Sequence, residues 1–94
     1  MSEKMTNRLV IFKNGEAEDE VALEAKPMVI GRDARSDIRL NDLSVSRRHA
    51  RLTCIYNEYC LEDLDSTNGT ILNEQLVTKR ILKHGDLLRI GSFT

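Results

Sequence analysis

The stretch Ala50-Arg-Leu-Thr-Cys-Ile-Tyr-Asn-Glu-Tyr-Cys-Leu-Glu-Asp63 decides the class of fold. Apolar and polar side chains alternate in its first half, which places Ala50, Leu52 and Cys54 on one face of a strand. The residues from Tyr59 to Asp63 have the composition of a second short strand, and polar residues between the two halves favour a tight turn. This stretch therefore predicts a β-hairpin with one face in the core.

The position of the turn decides how the two cysteines, Cys54 and Cys60, relate to each other. A two-residue turn at Asn57-Glu58 would pair Cys54 with Leu61 and put the cysteines on opposite faces of the sheet, where they cannot form a disulfide. A three-residue loop would instead place them opposite each other. We adopt the two-residue turn, with two buried free thiols.

Short strands and tight turns extend over the rest of the chain. Further strands are predicted at residues 8–12, 20–24, 28–31, 38–40, 70–72, 76–77, 80–82 and 87–90. Asn14-Gly15 is the strongest short signal for a hairpin, and no apolar period of 3.6 residues persists for the length of a helix. The pattern predicts an all-β sandwich or barrel formed by residues 8–94, after a disordered or flexible tail at residues 1–7.

Composition and charge exclude several classes of function. The chain has 94 residues, of which 40% are hydrophobic and 31% charged, as in soluble globular domains. No apolar run approaches the roughly 18 residues of a membrane span, and the polar N-terminus lacks the apolar segment of a secretory signal. We therefore expect a cytoplasmic protein with no membrane partner.

Arginine is concentrated in one part of a chain whose formal net charge is −1. The net charge and the lack of tryptophan give no reason to expect a nucleic-acid partner. Arginine is suited to bidentate recognition of phosphate, although a solvated basic face would look the same. The cluster comprises Arg32, Arg35, Arg39, Arg47, Arg48 and Arg51.

Three polar segments lie at predicted strand ends: Gly31-Arg32, Ser46-Arg47-Arg48-His49 and Ser66-Thr67-Asn68-Gly69-Thr70. Loops at one end of a sandwich can converge on a common site. Convergence here would bring guanidinium, hydroxyl and carboxamide donors together with no carboxylate, which suits the three acceptor oxygens of a phosphate. The carboxamide of Asn68 would also suit the main chain of an extended peptide.

The order and spacing of these motifs closely resemble the forkhead-associated (FHA) domain from about residue 8 to residue 93. The motifs that carry the resemblance are Val29-Ile-Gly31-Arg32, Ser36-Asp-Ile38, Val45-Ser-Arg-Arg-His-Ala50, Leu61-Glu-Asp63-Leu64, Ser66-Thr-Asn-Gly-Thr70 and Leu82-x-x-Gly85-Asp86. The resemblance implies a β-sandwich of two twisted, mainly antiparallel sheets with about 10 or 11 short strands. It also implies that loops at one end bind phosphothreonine peptides.

The resemblance implies a role for each site residue. The residues expected to contact the phosphopeptide are Arg32, Ser46, Arg47, Thr67 and Asn68. Structural support of the binding loops falls to Gly31, His49 and Gly69. Arg32 and Ser46 would contact the phosphate, Arg47 would support it with Arg48 as a rival, and Asn68 would hold the peptide main chain.

The sequence departs from the family pattern in two places. Family domains usually continue with one more strand beside the N-terminal strand, whereas this sequence stops at Thr94. A missing or shortened last strand would leave an unpaired edge open to strand pairing or a swapped dimer. The second departure is Asn73-Glu74, where many members have Asn-Gly; it affects a turn and not the site.

The leading hypothesis is a phosphothreonine-dependent interaction module in Ser/Thr kinase signalling, with no enzymatic activity, cofactor or metal. A phosphate-independent interaction or oligomerisation domain is the alternative. A hydrolase using Ser46 and His49, with Asp63 as a third member, is disfavoured because no G-x-S-x-G turn is present. The histidines and cysteines lack the spacing of zinc ligands.

Overall fold

The computed structural model describes residues 7–94, which form ten strands and no helix. The strands are β1 (Arg8–Lys13), β2 (Glu16–Ala22), β3 (Met28–Gly31), β4 (Ile38–Arg39), β5 (Ala50–Ile55), β6 (Glu58–Asp63), β7 (Thr70–Leu72), β8 (Gln75–Val77), β9 (Lys79–Ile81) and β10 (Leu88–Arg89). The prediction of an all-β chain is confirmed. Most of the predicted tail, residues 1–6, lies outside the described residues, whereas the Asn7 carbonyl accepts a 2.8 Å hydrogen bond from the Leu23 N–H.

One layer of the fold is a five-stranded sheet in the order β4-β3-β5-β6-β9. The pairing of β3 with β4 is parallel, and the other pairings in this sheet are antiparallel. Alternation along β3, β5 and β6 turns their apolar side chains to one face, where Ile30, Leu52 and Leu61 are almost fully buried. This face forms one wall of the core.

The second layer combines the β1-β2 hairpin with a three-stranded sheet in the order β10-β7-β8. The two parts are joined through the last residues. The Phe12 N–H donates to the Thr94 carbonyl at 2.8 Å, and the Thr94 N–H donates back at 3.0 Å. Ile90 and Phe93 form an isolated antiparallel bridge beside them. Buried side chains from both layers, including Ile11, Met28, Leu72 and Phe93, form a single apolar cluster, as expected for a sandwich.

The predicted turn of the central hairpin is wrong by one residue. The turn lies at Tyr56-Asn57, and both residues have positive φ angles, 50° and 63°. The observed register pairs Leu52 with Leu61, both 0% exposed, so burial of two leucines in one cross-strand pair favours it. Because the register differs from the predicted one by two residues, every side chain keeps its predicted face.

This register also determines the positions of the two cysteines. Cys54 pairs with Tyr59 and Cys60 pairs with Thr53, so the cysteines lie on opposite faces of the hairpin, and both are free thiols. The expectation that they are buried is wrong, because both are partly exposed. Cys60 lies on the outer face of β6, and Cys54 lies close to the exposed turn at Tyr56.

The first hairpin forms at the predicted Asn14-Gly15 turn, with φ angles of 52° and 80°. Its return strand starts at Glu16, four residues before the predicted start, because a two-residue turn allows pairing with β1 to begin at once. A register shift between Ile11 and Phe12 accommodates the longer pairing. The acidic residues at the start of β2 are exposed, as predicted for a solvated edge strand.

The turn between β7 and β8 generates a prediction about stability. Asn73 and Glu74 have φ angles of 49° and 69°, and a glutamate is strained in this left-handed region. We expect Glu74→Gly to raise the free energy of unfolding in urea by about 0.5–1 kcal/mol, after allowance for the looser unfolded chain. The control Glu18→Gly, in the exposed strand β2, should lower it by about 0.5–1 kcal/mol. A loss of stability in Glu74→Gly would contradict the assignment of strain to this turn.

Candidate functional site

The three polar segments converge at one end of the sandwich, in the β3–β4 loop (residues 32–37), the β4–β5 loop (residues 40–49) and the β6–β7 loop (residues 64–69). The Arg32 N–H donates to the Ser46 carbonyl at 3.0 Å, and the Asp33 N–H donates to the Arg47 carbonyl at 3.1 Å. The Thr67 N–H donates to Ser46 Oγ at 2.9 Å. Ser46 thus contacts both of the other loops.

The close approach of the first two loops requires a glycine at position 31. A Cβ on Gly31 would lie 2.1 Å from the carbonyl oxygen of Arg47, far inside van der Waals contact. The backbones of β3 and of the β4–β5 loop therefore touch directly. This contact sets the distance between Arg32 and Ser46.

His49 joins the β4–β5 and β6–β7 loops from inside the protein, where it is 0% exposed. Its Nδ1 accepts a hydrogen bond from the Ser46 N–H at 3.1 Å, so the ring proton lies on Nε2, which donates to the Gly69 carbonyl at 2.8 Å. The His49 N–H donates to the Ile30 carbonyl at 2.8 Å. These bonds give His49 the geometry of a loop support.

The same bonds do not fit the catalytic triad considered in the sequence analysis. Both ring nitrogens of His49 are engaged by backbone groups, and Ser46 Oγ accepts a hydrogen bond from the Thr67 N–H. The carboxylate of Asp63 bonds to Ser66 and to a threonine of β7, and His49 Nδ1 accepts the Ser46 N–H. The arrangement has no relay from a carboxylate through the imidazole to the serine hydroxyl.

Asp63 instead supports the β6–β7 loop, a role that the sequence analysis missed. Its carboxylate accepts hydrogen bonds from Ser66 Oγ at 2.5 Å, from the Ser66 N–H at 3.1 Å and from Thr70 Oγ1 at 2.6 Å. Ser66 Oγ in turn accepts the Gly69 N–H at 3.0 Å. The signal in the sequence was an aspartate three residues before a serine in a turn-forming segment. Partial burial opposes ionisation of Asp63, but the hydrogen bonds from Ser66 and Thr70 outweigh it and lower the pKa of the carboxyl.

The cationic groups of the site point outward from this framework. Arg32 is half-buried, and its Nε donates to the Val45 carbonyl at 3.0 Å, which holds one edge of the guanidinium. Arg47 and Arg48 are exposed. Among residues 7–94, the ion pairs within 4 Å involve none of these three arginines, although Arg35 pairs with Asp33 at 3.3 Å.

The neutral donors lie beside these arginines. Ser46 is half-buried and its hydroxyl accepts from Thr67, so its own proton is available for an acceptor outside the loops. Thr67 and Asn68 are exposed, and Asn68 Nδ2 donates to the Ser44 carbonyl at 3.0 Å. The structure therefore places all five predicted contact residues on neighbouring loops at one end of the sandwich. An anion with several acceptor oxygens is the ligand that such a set of donors favours.

The described part of the chain contains no group of three or more His, Cys, Asp or Glu side chains placed to hold a metal ion. Among residues 7–94, no helix is long and apolar enough to cross a membrane.

Comparison with known proteins identifies relatives over nearly all of the chain. The family model described as FHA domain matches residues 28–91. The glycogen accumulation regulator GarA of Mycobacterium tuberculosis is 38% identical over 85 residues, which cover 90% of this chain and 52% of GarA. The chain thus spans about half the length of this relative.

Two solved structures share the architecture. The FhaA FHA domain, crystallised in complex with the intracellular domain of Rv3910, is 33% identical with a TM-score of 0.79, and the match covers 92% of each chain. A domain from a study of phosphothreonine-dependent FHA domain interactions is 31% identical with a TM-score of 0.82, covering 93% of this chain and 91% of that one. The all-β sandwich predicted from the motifs is confirmed.

The close backbone contact at Gly31 generates a prediction about stability. We expect Gly31→Ala to lower the free energy of unfolding by about 2–3 kcal/mol, because the added Cβ cannot be accommodated without separating two backbones. The control is Gly85→Ala, where a Cβ meets nothing within 4 Å but φ is +87°, so only the cost of the left-handed conformation, about 1 kcal/mol, should appear. Urea unfolding of both variants checks this, and equal losses would contradict the close backbone contact.

Asp63 generates a prediction about pH. Since its pKa is lowered in the folded state, its ionised form stabilises the fold above the ordinary pKa of 3.8, and this contribution is lost as the pH falls through the folded-state pKa. We expect Asp63→Asn to be less stable than the wild type at neutral pH. Below pH 3.8, the variant should lose less stability on acidification than the wild type. Asp65→Asn, at an exposed position in the same loop, is the control. Its free energy of unfolding should depend on pH as that of the wild type does. Urea unfolding at a series of acidic pH values measures this dependence. A wild-type dependence on pH in both variants would contradict the assignment.

Proposed function

The chain belongs to the FHA domain family, and we propose that it is a phosphopeptide-recognition module that binds phosphothreonine-containing segments of partner proteins. The observation that carries this proposal is the convergence of cationic and neutral donors from three loops around Ser46. Two related FHA domains support it, one crystallised with the intracellular domain of another protein and one studied for phosphothreonine-dependent interactions.

Arg32 and Ser46 are proposed to contact the phosphate. The bond from Arg32 Nε to the Val45 carbonyl leaves the terminal nitrogens of the guanidinium as donors, and this fixed edge favours bidentate contact with phosphate oxygens. The Ser46 hydroxyl would donate its proton to a third oxygen. Arg47 would add positive charge from the adjacent position. Arg48, which lines a surface depression with Asp33 and Asp37, is the rival for this contact.

Thr67 and Asn68 are proposed to contact the phosphothreonine and the peptide main chain. Thr67 is held through its N–H by Ser46, which keeps its side chain beside the proposed phosphate position. Asn68 gives one N–H to Ser44 and retains a second N–H and its Oδ1. One donor and one acceptor on a planar amide match the alternating groups of an extended peptide.

The wider role is proposed from the relatives. GarA is described as a regulator of glycogen accumulation, and a relative from Corynebacterium jeikeium is described as an oxoglutarate dehydrogenase inhibitor. We propose that this chain serves Ser/Thr kinase signalling in the cytoplasm, with a phosphorylated protein as its partner. Its own chemistry would be binding without catalysis, since both ring nitrogens of His49 are engaged by backbone groups and leave Ser46 without a general base.

The proposal is tested by titration with an oriented phosphothreonine peptide library and its unphosphorylated counterpart. Each charge-assisted hydrogen bond to phosphate contributes about 1.5–3 kcal/mol, so phosphorylation should tighten binding at least about tenfold. Replacement of phosphothreonine by phosphoserine should cost about fourfold, the value of one buried methyl group. Isothermal titration calorimetry with the selected peptide measures both effects.

Variants separate specific binding from general charge. Arg32→Ala should weaken binding of the selected phosphopeptide at least about tenfold. Arg8→Ala removes the same charge from an exposed ion pair at the far end of β1 and should change the affinity less than about twofold. Arg47→Ala should weaken binding more than Arg48→Ala. Equal binding of both libraries, or full affinity in Arg32→Ala, would favour a phosphate-independent interaction domain instead.

A further inference from the structure

Ser44 lies two residues before Ser46 and is half-buried in the β4–β5 loop. Its backbone carbonyl is the acceptor for Asn68 Nδ2, at 3.0 Å. A backbone carbonyl only accepts hydrogen bonds, so this contact fixes which end of the Asn68 amide faces the loop. The orientation of Asn68 therefore depends on where the Ser44 carbonyl is held.

Ser44 is held by two neighbours. Its Oγ donates to Asp42 Oδ1 at 2.6 Å, and its N–H donates to the same oxygen at 2.8 Å. Its Oγ also accepts the Ser92 N–H at 3.1 Å. Asp42 is held in turn by Lys13 Nζ at 3.3 Å. The hydrogen bonds from Ser44, together with the charge of Lys13, lower the pKa of Asp42 to about 2, so the carboxylate acceptor persists at neutral pH.

The turn at Gly91-Ser92 packs closely against Ser44. Gly91 has a φ of +56°, and a Cβ at this position would lie 2.3 Å from Ser44 Oγ. The turn joins β10 to Phe93 and belongs to the second layer of the sandwich. Ser44 is thus confined between the second layer and the β6–β7 loop that carries Asn68.

We propose that Ser44 is a positioning residue: its hydroxyl, held by Asp42 and by the Ser92 N–H, fixes the carbonyl that presets the Asn68 amide for the main chain of a bound phosphopeptide. This inference rests on the proposed function. The preset amide has one N–H and its Oδ1 left for the peptide, whereas a freely rotating amide would lose side-chain entropy on binding. Ser44 makes this contribution without contacting the phosphate.

The experiment compares the intact chain with Ser44→Ala, Asn68→Ala and the double variant. Calorimetric titration with the selected phosphothreonine peptide should show about three- to tenfold weaker binding in Ser44→Ala, the usual effect of losing one ordered side-chain contact. In the Asn68→Ala background the same substitution should change the affinity less than about twofold, because the group that Ser44 positions is gone. A purely structural role for Ser44 would give the same loss in both backgrounds and would overturn the proposal.

Ser92→Ala is the matched control. It removes the long 3.3 Å hydrogen bond between the Ser92 and Ser44 hydroxyls but keeps the backbone N–H that donates to Ser44 Oγ and both bonds from Ser44 to Asp42, so we expect less than about twofold change in affinity. If Ser44→Ala fails to fold, Asp42→Ala takes its place, since it removes the acceptor for both donors of Ser44. That variant should show the same dependence on Asn68.

A measurement on the free protein separates this inference from the proposed function. The side-chain amide resonances of Asn68, assigned by their loss in Asn68→Ala, should shift in Ser44→Ala and stay in place in Ser92→Ala. Unchanged Asn68 resonances in Ser44→Ala would overturn the positioning role, whatever the ligand. Shifted resonances in a protein that binds no phosphothreonine peptide would overturn the proposed function and retain the control of Asn68 by Ser44.

Discussion

The binding end of this fold depends on the buried imidazole of His49. Its two ring nitrogens engage backbone groups of two different loops, the Ser46 N–H and the Gly69 carbonyl. A buried polar group without a partner costs about 1–3 kcal/mol, and separation of the two loops would leave two such groups unpaired, the His49 Nε2–H and the Gly69 carbonyl. The His49 N–H also bonds to the Ile30 carbonyl at the end of β3. One residue thus fixes the positions of both loops relative to the five-stranded sheet.

This internal pairing explains why the outer surface of the loops keeps its hydrogen-bonding capacity. The carbonyl of Ser46 is satisfied by the Arg32 N–H, and the carboxylate of Asp63 is satisfied by Ser66 and Thr70. The groups that remain for the proposed ligand include the terminal guanidinium nitrogens of Arg32, the Ser46 proton and part of the Asn68 amide. Because the surrounding hydrogen bonds hold these donors before a ligand arrives, binding of an anionic ligand would cost less side-chain entropy.

Much of the fold could be predicted from the sequence because side-chain alternation reports which face of a strand is buried. The faces of β5 and β6 were correct even though the turn was misplaced, since a shift of two residues preserves them. The turn itself was missed because Tyr56 adopts a positive φ that its residue type does not favour. Partial exposure of Cys60 was missed because it depends on what covers the outer face of the sheet.

For the candidate site, too, some features could be predicted from the sequence and others could not. The ordered motifs singled out Arg32, Ser46 and Asn68 as proposed contact residues because the proposed chemistry depends on residue type, whereas the convergence of their loops needed the structure. The proposed role of Ser44 was missed because the group that contacts Asn68 is a backbone carbonyl, which every residue has.

The contacts of Ser44 also show that the site is a product of both layers of the sandwich. The five-stranded sheet supplies Gly31 and the strand β5 that directly follows His49, and the second layer supplies the Gly91-Ser92 turn and Lys13. Lys13 contacts Asp42 through its Nζ, which also lies 5.3 Å from the centre of the Phe93 ring. Strands that carry no proposed contact residue therefore set the geometry of the loop that does. If Ser44 positions Asn68 as proposed, sequence changes in the second layer would alter the orientation of Asn68 while the proposed phosphate contacts, Arg32 and Ser46, stay the same.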